Sequence, residues 1–125
     1  MKYRYLGACG LPVSRVCLGT MTFGAEGWGC DEQTSHHIPD RFRDAGGNFV
    51  DTTDIDAEGE SERHIGTYLT GNPRDDLIVT SKCFFPTGNA RTARGLSRKH
   101  IAESCEASLK RLQTDYIDLY YVHGV

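Results

Sequence analysis

Long apolar runs, paired cysteines and concentrated positive charge are all missing from this chain, and each shortage closes off a class of function. No apolar stretch approaches the roughly 18 residues that a membrane span needs. The start, Met1-Lys2-Tyr3-Arg4-Tyr5-Leu6-Gly7, has no apolar segment of a secretory signal. Five cysteines, Cys9, Cys17, Cys30, Cys83 and Cys105, are an odd count without a CxxC pair. That pattern fits reduced thiols and a cytoplasmic location better than a disulfide frame. No metal site is expected: His36 and His37 are adjacent and diverge on a helix, while His64, His100 and His123 are far apart. The net charge is −3, and the nearest thing to a basic cluster is Arg91, Arg94, Arg98 and Lys99, spread over a loop and a helix start. A nucleic-acid surface needs a denser stripe, so neither nucleic acid nor membrane is an expected partner.

What is present is an ordinary folded composition, 38% hydrophobic and 25% charged over 125 residues, enough for one domain with a core. Short extended runs at Lys2–Leu6 and Leu11–Val13 bracket Gly7-Ala8-Cys9-Gly10, which reads as a hairpin. Residues 14–19 read as a buried strand, followed by a Gly-rich loop from Thr20 to Cys30. Asp31 is suited to cap a helix running to Ala45, with Ile38, Phe42 and Ala45 as its stripe and Gly46-Gly47 as its stop. Pro39 inside that helix removes a backbone bond and predicts a bend, at a cost of about 3 kcal/mol. Further strands are expected at Asn48–Thr52, Leu77–Lys82 and Ile117–His123. Further helices are expected from Glu60 to Leu69 and after Ser97, the latter burying Ile101, Cys105, Leu109 and Leu112.

A hairpin followed by alternating strands and helices implies a parallel sheet with right-handed crossovers. An open doubly wound sheet and a piece of a (β/α)₈ barrel share that string. The dinucleotide fingerprint GxGxxG of the first is absent, because Gly24, Gly27 and Gly29 are wrongly spaced and no strand leads directly into them. A hairpin ahead of the first strand suits a plug under a barrel. The expected fold is therefore α/β, a partial (β/α)₈ barrel with an N-terminal hairpin, four parallel strands and three helices.

Chemistry in such folds collects at the carboxyl ends of strands. Successive strands here end on Gly19-Thr20-Met21, Asp51, Lys82 and His123. A carboxylate, an ammonium and an imidazole at three neighbouring strand ends converge on one rim. There His is suited to meet a carbonyl near neutral pH.

Beyond these positions, the chain carries Tyr3-Arg4-Tyr5-Leu6-Gly7, Cys17-Leu18-Gly19-Thr20-Met21-Thr22-Phe23-Gly24 and Asp44-Ala45-Gly46-Gly47-Asn48-Phe49-Val50-Asp51-Thr52. It also carries Gly59-x-Ser61-Glu62, Ser81-Lys82, and a final run from Ser108-Leu109-Lys110-Arg111-Leu112 to Leu119-Tyr120-x-Val122-His123-Gly124. In this order and spacing they resemble the aldo-keto reductases, (β/α)₈ enzymes that reduce aldehydes and ketones with NADP(H). The resemblance covers essentially the whole chain. It implies that Lys82 is the catalytic lysine, Asp51 its carboxylate partner and His123 the histidine that orients the carbonyl oxygen of a small-molecule substrate. It also assigns Gly19, Thr20 and Met21, with Asp51, to the nicotinamide end of the cofactor.

Two departures from the family pattern stand out. The family's proton-donating tyrosine falls five residues after the aspartate, and that position here is Asp56. A carboxyl group titrating near pH 4 has no proton to offer at neutrality, and Lys82 is expected to favour its charged form further. Loss of a positioned acid removes about 10²–10⁴-fold in rate. Tyr121 points the same way as His123 but one layer deeper, and is not expected to substitute. Second, a complete barrel needs about 250 residues, and the sequence reaches Val125 just past the fourth strand. Residues 1–125 are thus expected to be a single incomplete domain, the N-terminal half of a truncated reductase homologue. It would lack the later loops that bind the carboxamide and phosphate of NADP(H), and would be inactive alone. Alternatives are an active NAD(P)H-dependent oxidoreductase, through half-barrel pairing or within a longer polypeptide, and a non-enzymatic interaction module. Open sheet edges invite self-association. The substrate is not legible, because only the segment from Phe84 to Gly95 represents the family's specificity loops.

Overall fold

The computed structural model describes all 125 residues. Strands β1 (Tyr3–Tyr5) and β2 (Pro12–Ser14) form the antiparallel hairpin, with Tyr3 opposite Ser14. They are followed by β3 (Leu18–Gly19), α1 (Glu32–Asp44), β4 (Phe49–Asp51), a 3₁₀ turn (Asp56–Gly59), α2 (Glu60–Thr70), β5 (Ile78–Cys83), α3 (Arg98–Leu112) and β6 (Leu119–Val122). The sheet order is β3-β4-β5-β6, every neighbouring pair being parallel. This is the expected partial barrel of four parallel strands and three helices. No helix is long and apolar enough to cross a membrane.

Register sorts the side chains onto two faces. Val50 pairs with Val79, and these two join Phe23, Ile65, Tyr68, Leu69, Leu77 and Leu112 in the core between sheet and helices. Asp51 pairs with Thr80, and Lys82 with Tyr121, on the opposite face. The hairpin docks at the amino end of β4. Ser14 N donates to Asn48 Oδ1 at 2.7 Å, and Asn48 Nδ2 donates to the Pro12 carbonyl at 3.1 Å.

Both helix-start expectations hold. Asp31 Oδ1 accepts from Thr34 N at 2.9 Å, and Ser97 Oγ accepts from His100 N at 3.1 Å. Gly46 closes α1 with φ +85°, and a Cβ on Gly47 would lie 2.3 Å from the Phe42 ring. Pro39 is buried within an uninterrupted α1, where Ser35 and Pro39 form the buried row, Ile38 and Phe42 flank it, and Ala45 is exposed.

Two expectations are corrected. The strand read over residues 14–19 shrinks to Leu18–Gly19, and Val16 and Cys17 are exposed. Ser14 is used by the hairpin, the chain bends after it, and Cys17 and Gly19 turn to the face that carries no helices. On α3 the buried row is His100, Ser104, Ser108 and Leu112, whereas Ile101, Cys105 and Leu109 are only half-buried. Close approach of α2 and α3 explains the rotation. A Cβ on Gly66 would stand 2.1 Å from the Arg111 carbonyl oxygen, and small serine side chains suit such a contact.

Candidate active site

The carboxyl ends of β3 to β6 surround a cavity of about 340 Å³. Its walls include Gly19, Thr20, Met21, Asp51, Asp56, Lys82 and His123, so every site residue predicted from the sequence reaches one mouth. Thr53, Ile55 and Phe85 complete the lining.

Lys82 is the centre of the hydrogen-bond pattern. Its Nζ donates to Asp51 Oδ2 at 2.7 Å and to the Thr52 carbonyl at 2.8 Å, while Thr80 Oγ1 donates to Asp51 Oδ1 at 2.6 Å. An ammonium has three protons, so one is left for the cavity. His123 is anchored through its backbone N to the Cys83 carbonyl at 3.0 Å. Its ring meets Phe85 edge-on, centroids 4.9 Å apart, and Nδ1 lies 3.3 Å from Thr53 Oγ1. Gly124 beside it is required by packing, since a Cβ there would stand 2.6 Å from the Phe84 ring.

Asp56 opens a turn in which Ala57 (φ 48°) and Glu58 (φ 56°) adopt left-handed backbone before Gly59 (φ 88°). Two such non-glycine residues cost about 1 kcal/mol or more each, and they fix the direction in which the chain leaves Asp56. Burial raises the Asp56 carboxyl above the usual carboxylate range, against the pull of Lys82 and His123, with Asp51 and Glu62 adding to the rise. Lys82 favours the charged form, as expected, but desolvation outweighs the ammonium and the net shift is upward.

Thr20 is fully buried, and its hydroxyl is occupied by the Asp51 carbonyl at 3.1 Å and Ser61 Oγ at 2.8 Å. The exposed surface of this loop comes from Gly19 and from Met21, which is 57% exposed. Tyr121 lines an adjoining cavity with Cys17, Phe49, Asp51, Lys82 and His123, and its ring centroid is 5.9 Å from Lys82 Nζ. It does not line the cavity that holds Asp56, in keeping with the deeper layer expected from strand alternation. Burial, followed by Asp51 and Cys17, raises its hydroxyl further into the protonated range.

Sequence reasoning missed the supporting layer. Ser61 Oγ donates to the Thr20 carbonyl at 2.8 Å and lies 2.9 Å from Thr52 Oγ1, tying α2 to the ends of β3 and β4. Glu62, fully buried, accepts from Ser81 Oγ and from Arg111 Nε, each at 2.6 Å. The run Gly59-x-Ser61-Glu62 was the available signal, because a serine and a glutamate at the start of a core helix need buried partners.

Comparison with known proteins follows the same lines. The model of the Aldo/keto reductase family matches residues 15–125. A norsolorinic acid reductase of Aspergillus flavus is 39% identical over 93% of this chain and 33% of its own length. An uncharacterized oxidoreductase of Bacillus subtilis, YrpG, is 40% identical over 100% of this chain and 40% of its own. A probable voltage-gated potassium channel subunit beta of Oryza sativa subsp. japonica is 39% identical over 98% of this chain and 37% of its own. The chain spans between a third and two fifths of the length of these curated relatives.

Proposed function

Because this chain belongs to the aldo/keto reductase family, we propose that Asp51, Lys82 and His123 are the carbonyl-handling end of an NADP(H)-dependent reductase site, with Asp56 as the weak member. The observation that carries this reading is the 2.7 Å Lys82–Asp51 contact opening onto a cavity shared with His123 and Asp56. The carboxylate holds the ammonium, whose free proton points its charge at an oxygen in the cavity. His123 aligns that oxygen. NADP(H), when bound, supplies the hydride. Gly19 and Met21 fit one edge of the nicotinamide: no heavy atom lies within 4 Å of a Cβ built on Gly19, which leaves a bare backbone strip beside Lys82. Thr20 contributes only its main chain, because its hydroxyl is already bonded.

Asp56 limits the reaction. Its carboxyl is raised by burial, yet a carboxylic acid loses its proton far more readily than a phenol titrating near 10. At neutral pH the proton donor is therefore in short supply. This 125-residue polypeptide by itself is expected to bind NADP(H) weakly and to turn over poorly. Joined to a complete barrel, the same residues serve a slow reductase.

NADPH titration of the chain, read by nicotinamide fluorescence, tests the first part, and micromolar binding would refute it. Asp56→Tyr in a complemented barrel tests the second. It should raise carbonyl reduction at neutral pH by about 10²–10⁴-fold, and an unchanged rate would clear Asp56 of the defect.

A further inference from the structure

Two consecutive buried residues beside the cavity, Thr53 and Asp54, have no role in the reading above. They are 3% and 4% exposed. Thr53 Oγ1 donates to Asp54 Oδ1 at 3.2 Å, and the same oxygen lies 3.3 Å from His123 Nδ1. Asp54 Oδ2 is buried with no partner, so Thr53 gives that carboxylate its one side-chain hydrogen bond. Both ends of this short chain are tied to the end of β5, through Asp54 N to the Lys82 carbonyl at 3.5 Å and His123 N to the Cys83 carbonyl at 3.0 Å.

We infer that Thr53, anchored on Asp54, is a positioning residue that sets the tautomer of His123. A hydroxyl has one proton and two lone pairs. The proton is committed to the carboxylate, so toward the ring Thr53 can only accept. Neutral His123 then carries its hydrogen on Nδ1, and Nε2, the nitrogen left free, presents a lone pair. A neutral histidine in water favours the opposite form, with the hydrogen on Nε2, so the relay reverses an intrinsic preference. Which hydrogen bond the second nitrogen makes is what decides such tautomers.

Burial, the largest cause, raises the Asp54 carboxyl above its ordinary value and Glu62 adds to the rise, while the Thr53 bond, Arg111 and His100 oppose it. Thr53 therefore helps to keep Asp54 an acceptor, which in turn keeps the threonine proton away from the ring. If His123 handles a carbonyl oxygen, as proposed above, it donates from Nε2 only as the imidazolium, and the neutral ring accepts instead. That consequence rests on the proposed function; the tautomer itself does not.

The experiment is long-range ¹H–¹⁵N correlation of the folded chain, at a pH where the ring is neutral, with His123 assigned by its loss in His123→Asn. Wild type should show His123 mainly as the Nδ1–H form. Thr53→Val should switch it to mainly Nε2–H, and Thr53→Ser should restore the wild-type pattern. A wild-type ring that is mainly Nε2–H overturns the inference, as does the same tautomer in the valine and serine variants. If the valine variant does not fold, the wild-type spectrum still decides. Cofactor affinity and turnover do not enter this readout, so a failed NADPH titration and a failed tautomer test are separable.

Discussion

Lys82 Nζ stands 2.7 Å from Asp51 Oδ2, although the residue registered opposite Asp51 on the neighbouring strand is Thr80. The lysine reaches back diagonally from two residues further along β5, and Thr80 bonds the other carboxylate oxygen at 2.6 Å. A parallel register thus turns residues 31 apart in sequence into one charged unit at a strand-end rim. Neither side chain is deeply buried, at 19% and 33% exposure for Lys82 and Asp51.

That exposure sets the size of the first expectation. Lys82→Met leaves Asp51 with the Thr80 bond and open access to water, so the loss should fall between that of a surface pair and a buried one. About 1–2 kcal/mol is expected, read as a lower urea midpoint with an unchanged slope. A loss above about 3 kcal/mol would mean the pair is part of the core rather than of the rim.

Asp56 should make stability fall as pH rises. Its folded carboxyl titrates above the ordinary value of 3.8, so the folded state holds the proton more tightly than the unfolded chain. The stabilising contribution is complete below about pH 3.8 and is lost as pH rises through the raised value. At pH 7 the ionised, half-buried group opposes folding. Asp56→Asn should therefore raise the urea midpoint at pH 7, and the gain should close toward pH 4. An asparagine variant less stable than wild type at pH 7 would show that Lys82 and His123 outweigh burial.

Most of the frame and the charged residues of the rim were readable because each rests on local chemistry, whereas Thr53, Ile55 and Phe85 of the same lining were not. Asp31 and Ser97 cap helices with their own oxygens, Gly46 supplies a left-handed residue, and Asp51, Lys82 and His123 follow strand ends by position alone. What failed depends on packing between distant segments. Apolar periodicity pointed to Ile101, Cys105 and Leu109, but the approach of α3 to Gly66 turned the serine row inward. The direction of the Asp56 shift needed its burial, which no spacing reveals. Thr20 was read as a cofactor contact, and only the structure shows its hydroxyl bonded to the Asp51 carbonyl and Ser61.

Glu62 and Arg111 carry the largest expected stability effect. Glu62 is fully buried and holds both Ser81 and Arg111 at 2.6 Å. Arg111→Met leaves that carboxylate without its cation, and such a loss costs about 3–5 kcal/mol. Adding Glu62→Gln removes the stranded charge while keeping an oxygen for Ser81, so the double variant should recover most of the loss. Thermal or urea unfolding of the two single variants and the double gives the coupling directly. Additive losses would show that the two groups do not act as a pair.

Cys17 offers a chemical probe of the same rim. The residue is exposed overall, yet its side chain lines the cavity with Phe49, Tyr121 and Val122. Burial, with Asp51 second, pushes its thiol up to about 11, and Lys82 pulls the other way. Because the thiolate is the nucleophile, and only about one thiol in 10³ is ionised at pH 8, alkylation should be slow there and quicken about tenfold per pH unit between pH 7 and pH 9.5. Asp51→Asn removes a charge that opposes the thiolate and should speed the reaction, whereas Lys82→Met should slow it. Mass spectrometry of the Cys17 peptide after timed iodoacetamide treatment reads all three rates, with circular dichroism confirming that the chain stays folded. A plateau below pH 9 would mean that burial does not raise this thiol, and equal rates in wild type and both variants would mean that the Asp51–Lys82 unit does not set the field over this face of the sheet.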